Sequence, residues 1–271
     1  MASDTVVFDL ETKKQFSDVG GRENLHLLEV SALSAYSYEK DKFYEFEEKD
    51  LKFFEQMAKD AERVVGFNIK GFDLPVLQPY VSIQTSSLPV VDMMDDVVRG
   101  VGFRVSLDNL CKTTLGAGKI ADGLDAVRWW REGKIDEIKK YCTEDVRLTR
   151  DLYEYGKRHG HVLFHARDSA GRVSVPVSWA GENSQNIRQI LVSAFQSRSR
   201  VEINYLTKTS EAGEDPNKTR LVDIYKIGED EFEGYCHLRK GLRIFKIERV
   251  LAARPTGESY RVPGEMQESL L

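Results

Sequence analysis

The chain has 271 residues, of which 41% are hydrophobic and 31% charged, so it can bury a core sufficient for one large domain or two modest ones. It has no apolar run of about 18 residues and starts without a basic region or an apolar signal core, so we expect neither a membrane-spanning helix nor a secretory leader. The three cysteines are widely spaced and lack CxxC pairs, which favours reduced, buried thiols in a cytoplasmic protein.

The net charge of −5 is unevenly distributed along the chain. Residues 1–179 hold 25 basic and 30 acidic side chains, whereas residues 180–271 hold 14 of each. Within the second part, residues 235–254 carry six basic side chains and one acidic one. An acidic first part argues against passive nucleic-acid binding, because phosphate contacts need cations, but it is compatible with carboxylates that metal ions neutralise.

The first part of the chain alternates short apolar runs with stretches of helical periodicity. Strands are predicted at residues 5–10, 26–37, 42–46, 63–67 and 88–92. Helices are predicted at residues 50–60, 72–80, 122–132 and 134–158, and another begins after Ser106, with Asp50 and Ser106 as caps. Three strands in a meander, followed by strands alternating with helices, describe a mixed sheet covered by helices. This order predicts an α/β domain with a ribonuclease-H-like fold over residues 1–162.

A different pattern follows. Periodicity fades while glycine and proline recur, so residues 163–183 are predicted to be a linker. Residues 184–271 are predicted to form a second domain. It begins with a helix at residues 184–196 and continues with short strands at 200–206, 220–227, 232–238 and 243–250. Short strands at regular spacing predict a small β-barrel.

Two carboxylates lie on the first predicted strand. Asp9 and Glu11 point to one face of the strand because side chains alternate, and Phe8 and Leu10 face the core on the other side. Carboxylates two residues apart on one face can both reach a hard divalent cation such as Mg²⁺ or Mn²⁺. The alternative is a solvent-facing acidic strand end.

A second carboxylate position lies on the long helix. Ile138, Tyr141, Asp145, Leu148 and Leu152 fall on one helical stripe, which predicts that Asp145 faces inward beside Tyr141. An ionised carboxylate there costs several kcal/mol unless it is paired with a cation or a metal ion. The alternative is a salt bridge to a buried arginine. The neighbouring cysteine, residue 142, is expected to face in another direction.

Asp73 follows a strand and a loop and stands at the start of a predicted helix. By itself it is a common arrangement, since the helix dipole favours an acid in the first turn. Asp92, Asp95 and Asp96 form another acidic cluster, for which we favour the capped start of a helix over metal binding.

Taken together, three segments resemble the DEDD superfamily of 3′–5′ exonucleases, in the DEDDy branch where a tyrosine precedes the last acid. The segments are FDLET at residues 8–12, GFNIKGFDLP at 66–75 and YCTED at 141–145. The stretch LGAGK at 115–119 is similar to a Gly/Lys segment of some members. The resemblance covers residues 3–160.

This resemblance implies a specific chemistry. Asp9, Glu11, Asp73 and Asp145 would hold two divalent ions, Mg²⁺ or Mn²⁺, about 4 Å apart, one activating the attacking water and the other stabilising the leaving 3′ oxygen. Tyr141 would position that water, since a phenol with a pKa near 10 is a poor base. The implied substrate is single-stranded DNA or RNA. Weaker candidates for substrate contacts are Asn68 and Lys119.

The second domain resembles the WYL domain, a small Sm/SH3-like barrel of bacterial regulators and defence-associated proteins. The resemblance covers residues 185–255 and rests on the segments at 187–205, 232–239 and 243–250, although Gly-Tyr-Cys replaces the Trp-Tyr-Leu signature. It implies a basic, aromatic pocket that binds nucleic acid or a nucleotide-like ligand, formed by Tyr205, Tyr235, His237, Arg239, Arg243 and Arg249. On the predicted last strand, alternation places Arg243 and Arg249 on one face with Phe245, an arrangement suited to single strands. The alternative is a solvated basic strand with ordinary salt bridges.

Two other functions stay open for the whole chain. The nuclease fold could be catalytically inactive and act as a ligand-sensing regulator, although five matching polar groups and the lack of a helix-turn-helix argue against that. It could also be an endonuclease of the ribonuclease H type, although the spacing of Tyr141 and Asp145 favours an exonuclease. The pairing of a nuclease with a WYL-like domain suggests repair or anti-phage defence by association alone.

Overall fold

The computed structural model describes residues 4–118, 123–166, 171–179, 184–211 and 214–262. The chain divides into two compact units, residues 1–154 and 155–271. Across the described residues, no helix combines the length and the apolar character that crossing a membrane requires.

The first unit is an α/β domain. In chain order its elements are β1 (Asp4–Thr12), β2 (Val30–Ser37), β3 (Lys42–Phe46), α1 (Leu51–Asp60), β4 (Ala61–Gly66), α2 (Asp73–Leu77), β5 (Val90–Asp92), α3 (Met93–Val101), α4 (Leu107–Leu115), α5 (Gly123–Arg131) and α6 (Ile135–His159). The strands form one sheet in the order β3-β2-β1-β4-β5. β1 pairs antiparallel with β2 and parallel with β4, so the sheet is mixed, as the sequence predicts.

The centre of this sheet is β1, which is covered on its core side by apolar residues. Phe8 is fully buried and packs 5.0 Å, centroid to centroid, from Phe54 of α1. Val6 and Leu10 belong to the same core cluster. Burying a side chain of this size stabilises a fold by about 1.5–3 kcal/mol, so alternating apolar residues hold β1 firmly in register.

Some predicted boundaries differ from the structure. The strand predicted from residue 26 begins at Val30, because Arg22–Leu27 forms 3₁₀ turns. Asp50 precedes α1 with helical backbone angles and no capping bond from its side chain, so its predicted role as a cap is wrong. Ser106 does cap α4, since its Oγ accepts the backbone N–H of Asn109 at 3.2 Å.

The second unit contains mostly strands. Its elements are β6 (His161–His165), β7 (Arg172–Pro176), α7 (Ser184–Gln196), β8 (Ser199–Leu206), β9 (Thr209–Ser210), β10 (Asn217–Ile227), β11 (Glu231–Cys236), β12 (Gly241–Lys246) and β13 (Val250–Ser259). One sheet has the order β12-β11-β10-β8-β13 and the other the order β6-β7-β9. α7 contributes Ile187, Leu191 and Ala194 to the core over the larger sheet.

These sheets do not form the closed barrel that the sequence predicts. The larger sheet is open in the described part of the chain, with β12 and β13 as its edges. The segment predicted to be a linker, residues 163–183, contains β7. The domain boundaries at residues 162 and 184 remain predictions.

The strand predicted at residues 243–250 is also wrong in its second half. β12 ends at Lys246, and Ile247–Arg249 forms a 3₁₀ turn after the N–H of Ile247 bonds the carbonyl oxygen of Asp230 at 2.8 Å. The turn interrupts the alternation, so Arg249 does not share a strand face with Arg243.

Candidate active site

The carboxylates of β1 lie where the strand-face argument places them. Phe8 and Leu10 are in the core, and the side chains of Asp9 and Glu11 border a pocket on the other side. The β1–β2 register shifts between Glu11 and Thr12. Such irregularities re-aim side chains at the edges of sites, and here the shift follows directly after the second carboxylate.

α6 supplies the third carboxylate to the same pocket. Asp145 is 1% exposed and Tyr141 is equally buried, which confirms the predicted inward stripe. Ligand oxygens of Asp9, Glu11 and Asp145 lie within 4.8 Å of one another. A strand and a helix distant in sequence therefore bring three carboxylates to one point.

Asp73 lines the pocket but belongs to a different arrangement. Its Oδ1 accepts the backbone N–H of Leu10 at 3.1 Å, so the fourth acid is bonded to the strand that carries the first two. Close approach makes this possible. A Cβ on Gly66 would lie 3.0 Å from the carbonyl oxygen of Phe8 and 2.3 Å from Ile69 Cγ2, so a larger residue would push the loop away from β1.

The loop before Asp73 is held by a residue whose importance the sequence does not show. Asp92 accepts the backbone N–H groups of Asn68 at 2.7 Å, Lys70 at 2.9 Å and Met94 at 3.0 Å. Its bond to Met94 confirms the predicted helix cap. The other two bonds fix the loop, and the available signal was an acid at the end of the parallel strand adjacent to β4.

Cys142 lies on a different stripe of α6 from Tyr141, as expected, but its thiol also contacts β1. Its Sγ lies 3.2 Å from the carbonyl oxygen of Asp9 and 3.9 Å from Asp9 Oδ2. Complete burial, together with the neighbouring carboxylates, raises the pKa of this thiol well above its usual value, so it stays protonated and can donate. Helical spacing missed this contact because α6 crosses close to β1 and touches it with more than one stripe.

Tyr141 is enclosed by apolar and acidic groups. Its ring packs edge-on against Trp129, 6.0 Å between centroids, and Ala32, Ala126 and Ile138 belong to the same small core cluster. Burial, followed by the charge of Asp145, raises the pKa of Tyr141 far above its ordinary value. The phenol is therefore a hydrogen-bond donor at neutral pH.

The pocket has a volume of about 500 Å³. Its lining has apolar walls and four carboxylates, here called the acidic floor: Asp9, Glu11, Asp73 and Asp145. Phe16 and Phe72 meet edge-on in the wall, 6.0 Å between centroids. Further apolar lining comes from Leu10, Leu28, Phe67, Leu124 and Val127. An acidic floor beside aromatic rings suits a ligand that has both a phosphate and a base.

The donor set fits hard divalent cations. Carboxylate oxygens within 4.8 Å of one another can converge on one ion, since Mg²⁺ and Ca²⁺ bind oxygen at about 2.0–2.6 Å. The set has no thiolate or imidazole donor that would favour a softer metal. Asp73 is outside this cluster of three but lines the same pocket.

The two weaker substrate candidates have different outcomes. Asn68 lines the pocket, in a left-handed backbone conformation with φ of 66°. Its Oδ1 accepts a hydrogen bond from Arg104. Lys119 lies outside the described residues.

In the second unit, two residues of the predicted basic aromatic pocket lie with the apolar core. The ring of Tyr205 packs edge-on against Phe245, 5.0 Å between centroids. Arg249 is buried, and its guanidinium donates to the carbonyl oxygen of Leu206 and to Ser174 Oγ, both at 2.8 Å. Burial lowers the pKa of Arg249. This arginine therefore joins strands instead of facing solvent.

The other members of that predicted pocket lie elsewhere. Tyr235 packs against a separate apolar cluster and lies edge-on to His237, 5.1 Å between centroids. His237 Nε2 is 2.9 Å from Asp223 Oδ2. Arg239 and Arg243 are exposed. The structure thus brings Tyr235 and His237 together but separates them from the residues in the core.

Comparisons with known proteins agree with the fold of the first unit. Residues 6–156 match the family model described as RNase_H superfamily. A search of curated protein sequences returns no match.

Among solved structures, two complexes of Escherichia coli exonuclease I, one with zinc and single-stranded DNA and one with a dA16 oligonucleotide, align at 9% identity and a TM-score of 0.34. They cover 99% of this chain and 67% and 68% of theirs. Proteasome accessory factor B/C of Arthrobacter aurescens aligns at 20% identity and a TM-score of 0.25 over 59% of this chain, which spans 21% of that protein. Likenesses at this level establish no shared activity.

Proposed function

Because the chain belongs to the RNase H superfamily and gathers carboxylates in one pocket, we propose that it is a metal-dependent 3′–5′ exonuclease of single-stranded nucleic acid. Superfamily membership supports a nuclease. The observation that carries the proposal is the convergence of Asp9, Glu11 and Asp145, in a pocket that Asp73 and Tyr141 also line. Three carboxylates this close together destabilise the fold because their like charges repel. A role in folding therefore does not explain the cluster, whereas binding of a cation does.

In this proposal the carboxylates and the tyrosine of the pocket have separate roles. Mg²⁺ or Mn²⁺ held by Asp9, Glu11, Asp73 and Asp145 would supply a nucleophilic water and stabilise the charge that develops on the leaving 3′ oxygen. The Tyr141 hydroxyl orients that water by donating a hydrogen bond. Asp73 keeps β1 and the loop before α2 at a fixed separation through its bond to Leu10, which preorganises the acidic floor.

The size and lining of the pocket support the choice of a single-stranded end. A volume of about 500 Å³ is typical of sites that enclose one small-molecule-sized group, such as one terminal nucleotide. The rings of Phe16 and Phe72 give its base an apolar wall. The 3′ direction is supported by the resemblance carried by Tyr141 and Asp145.

We also propose that the second unit is WYL-like and holds nucleic acid or a nucleotide-like ligand. The exposed Arg239 and Arg243 support this, together with the pairing of Tyr235 and His237. Arg249 is assigned no ligand contact, since backbone and hydroxyl groups already occupy its guanidinium.

Labelled oligonucleotides test the exonuclease proposal. The purified protein is incubated with 5′-labelled and 3′-labelled single-stranded DNA and RNA in Mg²⁺, Mn²⁺ or EDTA. We expect a ladder of 5′-labelled products that shortens from the 3′ end, and no cleavage in EDTA. Internal cuts without a ladder would indicate an endonuclease, and binding without cleavage in any metal would favour a ligand-sensing regulator.

A further inference from the structure

Two arginines beside the pocket have no carboxylate partner among the described residues. Arg104 is exposed and donates from Nη2 to Oδ1 of Asn68. Arg22 is exposed and lies over the ring of Phe16, 4.6 Å from the ring centroid. Since Asn68 and Phe16 both line the pocket, each guanidinium is one side chain away from it.

The neighbouring lysines are different. Lys14 lines the pocket and forms an ion pair with Glu29, and the ammonium of Lys70 lies 2.6 Å from Asp95. A carboxylate partner offsets the charge of a cation and competes with a phosphate for it, whereas an unpaired arginine offers its full charge. Of these four cations, Arg22 and Arg104 are therefore the two without a carboxylate partner in the part of the chain that the structure describes.

We propose that Arg22 and Arg104 bind backbone phosphates of the strand whose end enters the pocket. The inference rests on the proposed exonuclease function, because it takes a nucleic-acid strand as the ligand. It also places part of the substrate-binding surface in the first unit, although the net charge of that part of the chain is negative.

The geometry of each arginine leaves donors available. A guanidinium has five N–H donors in one plane, and Arg104 uses one of its terminal groups on Asn68. Arg22 lies over the Phe16 ring and makes no hydrogen bond from its guanidinium to another described residue, so an N–H edge stays available. Bidentate bonds from this edge match the oxygens of a phosphate.

Contacts between these arginines and phosphates would offset the repulsion between the carboxylates of the pocket and a nucleic-acid strand. The carboxylates repel a polyanion, so a strand must be attracted by cations beside the pocket before its last phosphodiester can reach them. Each phosphate contact on a single strand releases counterions and contributes about 0.7 to the magnitude of the log–log slope of affinity against salt.

The test is equilibrium binding of a 5′-labelled oligothymidylate in EDTA, followed by fluorescence anisotropy across a salt series. The variants are Arg22→Ala, Arg104→Ala and the double variant. Arg99→Ala is the matched control, since Arg99 pairs with Asp96 at 2.5 Å and is not among the residues that line the pocket. All three side chains are exposed arginines on the surface, so folding should be retained.

We expect the double variant to flatten the slope by about 1.4, each single variant by about half of that, and the control hardly at all. Arg104→Lys should restore most of the slope, because it keeps the charge. Wild-type affinity and slope in the double variant, or an equal loss in Arg99→Ala, would overturn the inference.

The same preparations separate this inference from the exonuclease proposal. If the wild type cleaves in Mn²⁺ while the double variant keeps the wild-type slope, the arginine contacts are wrong and the exonuclease stands. If nothing cleaves but the double variant loses slope, the phosphate contacts stand and the exonuclease proposal fails.

Discussion

The two units handle charge in opposite ways. In the first, carboxylates from β1 and α6 converge within 4.8 Å because a buried strand and a buried helical stripe fix their directions. In the second, the densest basic segment, residues 235–254, is dispersed. Arg249 is buried on backbone carbonyls, while Lys246 and Arg254 form ion pairs with acids at 3.0 and 2.7 Å. A run of basic residues in the sequence therefore predicts a binding site less well than charged residues that periodicity places on one face of a strand or helix.

The largest expected effect is the loss of a converging carboxylate. Asp9→Ala and Asp145→Ala should each reduce cleavage by about 10³-fold or more, because each removes a ligand of the acidic floor. Single-turnover cleavage of a labelled strand measures this. Asp125→Ala, which removes an acid that pairs with Arg128 on α5, is the control. Near-wild-type rates in both site variants would place the chemistry elsewhere.

The next effect concerns the tyrosine beside those acids. Tyr141→Phe should keep the fold and the metal affinity but lower the rate by about 10–10³-fold, the range for one positioned hydrogen bond. Thermal unfolding checks the fold, and rate against Mn²⁺ concentration separates binding from turnover. A variant with the full rate would show that Tyr141 only packs against Trp129.

A smaller effect is expected at Cys142, whose thiol bonds the Asp9 carbonyl. Cys142→Ala should lower the rate by about 5-fold through loss of a bond worth about 1 kcal/mol. Cys142→Ser should lose less, because its hydroxyl can donate in the same direction. Equal rates for the two variants would mean that the thiol only fills space.

The smallest effect is expected in the second unit. Arg239→Ala combined with Arg243→Ala should weaken binding of long strands and flatten the salt slope by about 0.7 for each phosphate that is no longer bound, without changing cleavage of short oligonucleotides. Arg254→Ala, which removes an ion-paired arginine, is the control. Unchanged binding of long strands would leave this unit with a small-ligand or self-association role.

Periodicity explains how much of this molecule could be predicted from its sequence. The face of Asp9 and Glu11 and the inward stripe of Asp145 follow from alternation and helical spacing, because both elements are long and buried. The contact of Cys142 with Asp9 depends on how α6 crosses β1, and the hold of Asp92 on the loop depends on strand order. Neither contact can be predicted from the spacing of residues within one element, because each depends on how separate elements pack.

The second unit shows the same limit. The helix at residues 184–196 and the approximate positions of four strands were predicted correctly. The turn at Ile247–Arg249 was missed, since a strand-like alternation continues through it in the sequence. The pairing of β11 with β12 ends at Glu231 and Lys246, and beyond that pair the chain turns and Arg249 is buried.

Metal binding tests the central claim most directly, because it asks whether the converging carboxylates are ligands. Isothermal titration of the metal-free protein with Mn²⁺ is compared between the wild type, Asp145→Asn and the control Asp125→Asn. We predict saturable binding in the wild type and the control, and a loss of at least about tenfold in affinity in Asp145→Asn, without loss of thermal stability. Equal Mn²⁺ affinity in all three proteins, or no binding to the wild type, would contradict the account.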